Sequence, residues 1–279
     1  MATAAEEYLK KSHLLTYFKD AIAQLLEHRE HNPKIIPQRF LLDYFTSVQQ
    51  GNQSLHREYD YVTATPSNRR SLVKLFYQSF EPIGRRGDLL NIKEYHALLC
   101  LLCPDFPLEL VQKTARIILT EDVMDCLVSF PDFLYAFQVQ FVYEDFLKLC
   151  LEVYSGLLAT VLRANSSQPT VVVVPTLTMS NSQRNETDAL LGHQVSPDNV
   201  DARVFLSLLR DRLAVCGSHP STDVLESVLG HRERVSYYEF ITLVVKSSEV
   251  NAQLGVLPSR DALFGSSSSS AGVSKDADS

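Results

Sequence analysis

The sequence predicts an all-α protein. Apolar residues recur at intervals of three and four along most of its 279 residues, several of these stripes begin at recognisable helix caps, and one valine run is the single strand-like stretch. A content of 45% hydrophobic and 21% charged residues is ordinary for a globular chain. Polar, serine-rich sequence is confined to two segments, so disorder is expected to be local.

Residues 1–50 read as a helical hairpin. Leu14, Leu15, Phe18, Ile22, Leu25 and Leu26 lie at helical spacing between Tyr8 and Leu26, and Phe40, Leu41, Tyr44, Phe45 and Val48 form a second stripe after the break at Pro33 and Pro37. Residues 51–162 form a helical core. Gly51 to Thr63 is expected as a loop, after which Thr65 and Pro66 cap a helix carrying Leu72, Val73, Phe76, Tyr77 and Phe80. Gly84 to Asp88 interrupts the pattern, and Asn91 with Glu94 has the spacing of a capping box for a helix reaching Cys103. Pro107 opens a further helix through Val111, Ala115, Ile118 and Leu119. Ser129 to Asp132 starts another, marked by Phe133, Phe137 and Phe141, and the helical pattern continues to about Leu162.

Residues 163–199 read as a linker. Its run Val171, Val172, Val173 and Val174 is an isolated extended segment, either a clip on the helical body or a strand added to a partner's sheet edge. Residues 200–254 are a second helical region, through Val204, Phe205, Leu208, Leu213, Val224 and Leu229, with another capping-box spacing at Ser236 and Glu239. Residues 255–279, ending in a serine run, are too poor in apolar side chains to fold and are expected to be a disordered tail.

Charge and cysteine usage narrow the function. A net charge of -7 supplies no field that would gather nucleic-acid phosphates or an anionic bilayer, so neither nucleic acid nor membrane is an expected partner. Met1 to Lys10 lacks the apolar core of a secretion signal, no apolar run approaches the ~20 residues that span a bilayer, and five scattered cysteines suit reduced thiols. Cytoplasmic residence is the expectation. Arg69, Arg70 with Lys74, and Arg85 with Arg86, are small basic clusters read as solvated faces.

The sequence carries no recognisable catalytic or metal site. Gly87 to Tyr95 and Gly230 to Phe240 echo the exit of an EF-hand loop, so degenerate EF-hand-like helix-loop-helix units are expected. With Glu94 as last ligand, Ile83, Arg85 and Gly87 occupy ligand positions, and with Glu239 the occupants are Val228, Gly230 and Arg232, so neither loop can hold calcium. A frame ending at Asp132 offers Glu121 and Asp125 around Val123 and lacks the bidentate glutamate. Cys100 and Cys103 have metal-pair spacing in a leucine-rich helix without a second pair, and are read as buried thiols. Glu121-Asp122 and Glu144-Asp145 are read as surface acids, and the phenylalanines at 130, 133, 137 and 141 as core. No nucleophile elbow or phosphate-binding glycine loop occurs. The expectation is a non-enzyme, without catalytic residues, metal or cofactor, that binds proteins.

Two resemblances add partners. Tyr8-Leu9, Leu14-Leu15, Leu25, Arg29 to Pro33, Phe40-Leu41 and Tyr44-Phe45 resemble the docking and dimerisation domain of protein kinase A regulatory subunits. That resemblance implies a partner-binding face on Leu14, Leu15, Phe18, Ile22 and Leu25, with a homodimer through the hairpin among its outcomes; the alternative is that these residues pack onto the chain's own body. Gly87 to Leu90, Lys93 to His96, Leu101 to Leu110 and Met124 to Leu127, within a span from about His13 to Gly255, resemble the centriolar satellite-associated tubulin polyglutamylase complex regulator family. It implies a non-catalytic regulator or adaptor that modulates assembly of that complex, contacts its subunits, meets microtubules indirectly, and resides in the cytoplasm at centriolar satellites and the cytoskeleton. Departures from the family's pattern fall in residues 163–199 and in the short tail. The readings that compete with it are a docking protein for amphipathic helices of other scaffolds and, from another class, a calcium sensor or an unrecognised enzyme.

Overall fold

The structure, a computed structural model, describes residues 4–119, 126–166 and 199–264. It is mainly helical, and the only strands among the described residues are two short antiparallel pairs. The chain forms two compact units: 1–144 with 244–279, and 145–243.

The first unit opens with α1 (Ala4–Lys11), α2 (Leu14–His31) and α3 (Pro37–Gln50). The stripe from Tyr8 to Leu26 is not one helix. His13 takes φ 54°, a left-handed residue that cannot continue a right-handed helix, and it separates α1 from α2. Pro37 sits in the first turn of α3, and Gly51 at φ 71° closes it, a position where a side chain would be strained. A short helix, α4 (Tyr59–Thr63), lies inside the expected loop. The Thr65 hydroxyl accepts from the Asn68 amide and starts α5 (Pro66–Arg86) as the sequence suggests. That helix runs through Pro82 and Gly84 and ends only at Gly87, so the interruption is shorter than expected. Gly84 is needed for close packing: a Cβ there would meet a Phe130 ring carbon at 2.7 Å.

Beyond it, β1 (Leu89–Leu90) leads into α6 (Ile92–Cys100), and after α7 (Leu108–Ile118) β2 (Val128–Ser129) leads into α8 (Phe130–Val142). The strands pair Leu89 with Ser129 and Leu90 with Val128, which joins the two helix-loop-helix units into one lobe. Asn91 and Glu94 make a complete capping box, though α6 stops at Cys100 rather than Cys103. The phenylalanine stripe is core: Phe133, Phe137 and Phe141 stack in sequence along α8 at 5.8 and 5.4 Å, and Tyr95 stacks on Phe133 at 3.8 Å. The Asn91→Ala variant should lose about 1 kcal/mol of stability, read as a lower denaturant midpoint with an unchanged slope.

The second unit repeats this plan. It contains α9 (Glu144–Ser166) from its second residue, β3 (Val200–Asp201), α10 (Ala202–Arg212), α11 (Thr222–Leu229), β4 (Arg234–Val235) and most of α12 (Tyr237–Lys246). Val200 pairs with Val235, and Asp201 with Arg234. Counting from the capping residues Asn91 and Asp201, Tyr95 corresponds to Phe205 and Leu99 to Leu209; counting from Ser129 and Ser236, Phe133 corresponds to Phe240. All six are fully buried, and the matched ring pairs meet in both units, Tyr95 stacked on Phe133 at 3.8 Å and Phe205 edge-on to Phe240 at 5.2 Å.

The chain then re-enters the first unit with α13 (Ser248–Leu254) and α14 (Arg260–Phe264). Residues 255–264 were expected within the disordered tail. They are instead folded, because Leu257 is buried and Pro258 and Arg260 bond to Tyr135 and Asp132. The valine run at 171–174 and the frame containing Glu121 and Asp125 lie outside the described residues.

Candidate functional site

The N-terminal hairpin has two faces of opposite character, set by what α2 carries at helical spacing. Its inner face holds the buried residues Tyr17 and Ala21. The Tyr17 hydroxyl donates to Asn68 Oδ1 at 2.9 Å and lies 2.8 Å from the Thr65 hydroxyl, fastening α2 to the start of α5. One residue row away, Asp20 accepts from Arg57 in an ion pair, from Tyr44 at 2.7 Å and from Gln24 at 2.8 Å. Arg57 also lies 3.8 Å over the Tyr61 ring, and Tyr61 and Tyr44 share a hydrogen bond of 3.1 Å.

Burial pushes the Tyr61 phenol up to about 12 and Tyr44, with hydrogen bonds to Tyr61 and Asp20 in addition, well above its usual 10.0. A phenol whose value is raised on folding contributes stability that is complete below about pH 10 and lost as pH rises toward the folded value. Unfolding free energy measured at steps from pH 8 to 11 should therefore hold until about pH 10 and then fall, and Tyr44→Phe should blunt the fall.

The outer face is open. Leu15, Phe18, Ile22 and Leu26, spaced three, four and four apart, are 51%, 45%, 52% and 59% exposed. Tyr8 on α1 and Leu42 on α3 are exposed as well, and Phe18 rests against Phe45 of α3 at 5.1 Å. Of the five residues expected to bind a partner, Leu15, Phe18 and Ile22 thus lie on this face, whereas Leu14 and Leu25 are half-buried. Leu26, equally periodic in the sequence, belongs with the exposed group. A row of large apolar side chains in water is the kind of surface that marks an interaction site.

The loops that echo EF-hands are occupied by the protein's own groups. Glu94 accepts from the Asn91 amide at 2.8 Å in the capping box, and Glu239 is ion-paired with Arg232, a residue standing where the calcium frame would need an oxygen ligand. Among the described residues no group of three or more His, Cys, Asp or Glu side chains could hold a metal ion, and no helix is long and apolar enough to cross a membrane. Cys103 is buried and its thiol, which meets Asp105 at 3.5 Å, is pushed up to about 12 by that burial; Cys100 is half-buried and also raised. Both stay protonated near neutrality and are poor nucleophiles and metal ligands. Arg69 is no solvated charge: its guanidinium donates to the Phe141 carbonyl at 2.9 Å and pairs with Glu144 at 3.2 Å.

Two lobes of paired helix-loop-helix units, with loops closed by arginine and capping contacts, together with an N-terminal apolar hairpin, define an all-α protein of degenerate EF-hand-like lobes. Residues 2–51 match the family model described as the CSTPP1 N-terminal domain. The chain is 42% identical over 262 residues to the mouse protein named centriolar satellite-associated tubulin polyglutamylase complex regulator 1, covering 92% of this chain and 76% of the relative. The human protein of that name gives the same figures, and the zebrafish one is 41% identical over 93% of this chain and 76% of its own length. The chain belongs to the centriolar satellite-associated tubulin polyglutamylase complex regulator family. No solved structure matches it.

Proposed function

We propose that this chain is a non-catalytic regulator and adaptor of the tubulin polyglutamylase complex, acting on assembly of that complex and thereby on microtubule polyglutamylation. Identity to the named regulators across both lobes and the hairpin carries this reading. The contact is with subunits of the complex, through Leu15, Phe18 and Ile22 with Leu14 and Leu25 at their margin; the four-residue rhythm of that face suits an amphipathic helix from the partner, or the same face of a second copy. Microtubules are reached indirectly, because a chain of net charge -7 is repelled by acidic tubulin tails. Cytoplasmic residence at centriolar satellites and the cytoskeleton follows from the same reading. Co-purification of ligase and accessory subunits with the tagged chain is the expected result. Normal complex assembly and normal tubulin glutamylation in cells lacking the protein would refute it.

A second reading has the exposed face of α2 in its favour: a docking protein for amphipathic helices of scaffolds outside this complex. It predicts capture of such helices with the polyglutamylase subunits absent from the bound fraction.

A further inference from the structure

Three side chains on one face of α8 are spaced three residues apart, and each bonds to chain that returns from beyond the second unit. Arg260 approaches Asp132 at 3.8 Å and lies 4.4 Å over the Tyr135 ring. The Tyr135 hydroxyl donates to the Pro258 carbonyl at 2.8 Å, and Gln138 Nε2 donates to Asn251 Oδ1 at 2.7 Å, contacts between residues 123 and 113 positions apart. Val250, Leu254 and Leu257 are buried. Phe133, Phe137 and Phe141 fill the lobe interior from the other side, and residues 247–264 bond to the face of α8 that carries Asp132, Tyr135 and Gln138.

That closure is weaker than the interior packing. Helices of seven and five residues do not hold their shape without docking. Gln138 Oε1 is buried without a hydrogen-bond partner, so the polar contact at the centre of the closure is half satisfied. A hollow of about 200 Å³ lined by Tyr77, Glu81, Phe130, Pro258 and Leu263 remains beside α14.

We propose that residues 247–264 are a releasable strap, an internal ligand of the α8 face, and that this face accepts in their place a partner segment of matching chemistry. The strap itself defines that chemistry: Val250 and Leu254 one turn apart on α13, a turn at Gly255, Leu257 beyond it, and then an arginine that meets Asp132 and the ring of Tyr135. The proposal is independent of the role assigned to the hairpin.

Hydrogen exchange on the full chain and binding of a fluorescent peptide of residues 247–264 test it. Strap amides should exchange at least tenfold faster than those of α5 and α8, in an opening of their own. A full chain carrying Leu257→Asp, which weakens its own strap, should bind the peptide at least tenfold more tightly than the unsubstituted chain, and adding Asp132→Asn should reduce that gain. Exchange of the strap only together with α5 and α8 overturns the proposal, and this readout on the unsubstituted chain decides even where Leu257→Asp disrupts the unit. Equal peptide binding by the two chains, with helicity retained, overturns it too.

Discussion

Replacing Phe133 with alanine should lower the stability of the first unit by about 3–5 kcal/mol. Phe133 is fully buried and touches rings on three sides: Tyr95 at 3.8 Å, Phe137 at 5.8 Å and Phe76 at 6.1 Å. Its loss leaves a cavity that stacked neighbours cannot fill without abandoning their own contacts. Tyr95 would lose its stacking partner while still having to place its hydroxyl on the Val128 carbonyl at 2.9 Å, a bond that ties α6 to the strand pair. The expected outcome is a denaturant midpoint shifted far to lower concentration. Leu101→Ala, at an exposed position, is the control and should change stability by no more than about 0.5 kcal/mol. A small effect of Phe133→Ala would mean that the aromatic stack does not organise the lobe.

The paired change Leu15→Asp with Ile22→Asp should abolish partner association while leaving the fold intact. Both side chains stand about half in water on the outer face of α2, so two carboxylates there remain solvated and cost little stability. In a complex the same positions would be desolvated. Losing the burial of the exposed half of two aliphatic side chains, about half of the 1.5–3 kcal/mol for full burial of each, corresponds to a fall in affinity of more than about 10-fold, before the cost of burying charge. The readout is co-purification of polyglutamylase subunits, alongside a thermal melt within a few degrees of the unsubstituted chain. Leu14→Asp is the less informative variant, because Leu14 is half-buried and its replacement disturbs the hairpin as well. Undiminished co-purification would move the docking site away from this face.

Much of the fold was legible from local signals. The caps at Thr65, Asn91 and Ser129 act within three residues, so their spacing in the sequence predicts the bonds found in the structure. The phenylalanines of α8 read as core for a similar reason: their period of three to four puts them on one stripe. Less legible were the turn at His13, which no glycine or proline announces, and α14, whose five residues are too few to show a helical period and whose flank buries Leu257. The duplication of the lobe was also hidden. Its matched positions exchange tyrosine for phenylalanine and asparagine for aspartate, and only the strand pairs and caps bring them into register.

The same division holds for the candidate site. Periodicity by itself determined that residues 1–50 would form apolar helices and that the EF-hand-like loops lacked a calcium ligand set, since both depend on which residues stand a few positions apart. Only the tertiary structure decided that Tyr17 and Asp20 turn inward to Asn68 and Arg57 while Leu15, Phe18, Ile22 and Leu26 face water, and that residues 247–264 cover α8. Each of those outcomes depends on partners roughly 40 to 120 positions distant, and a helix cannot signal through its own spacing which of its faces such partners will claim.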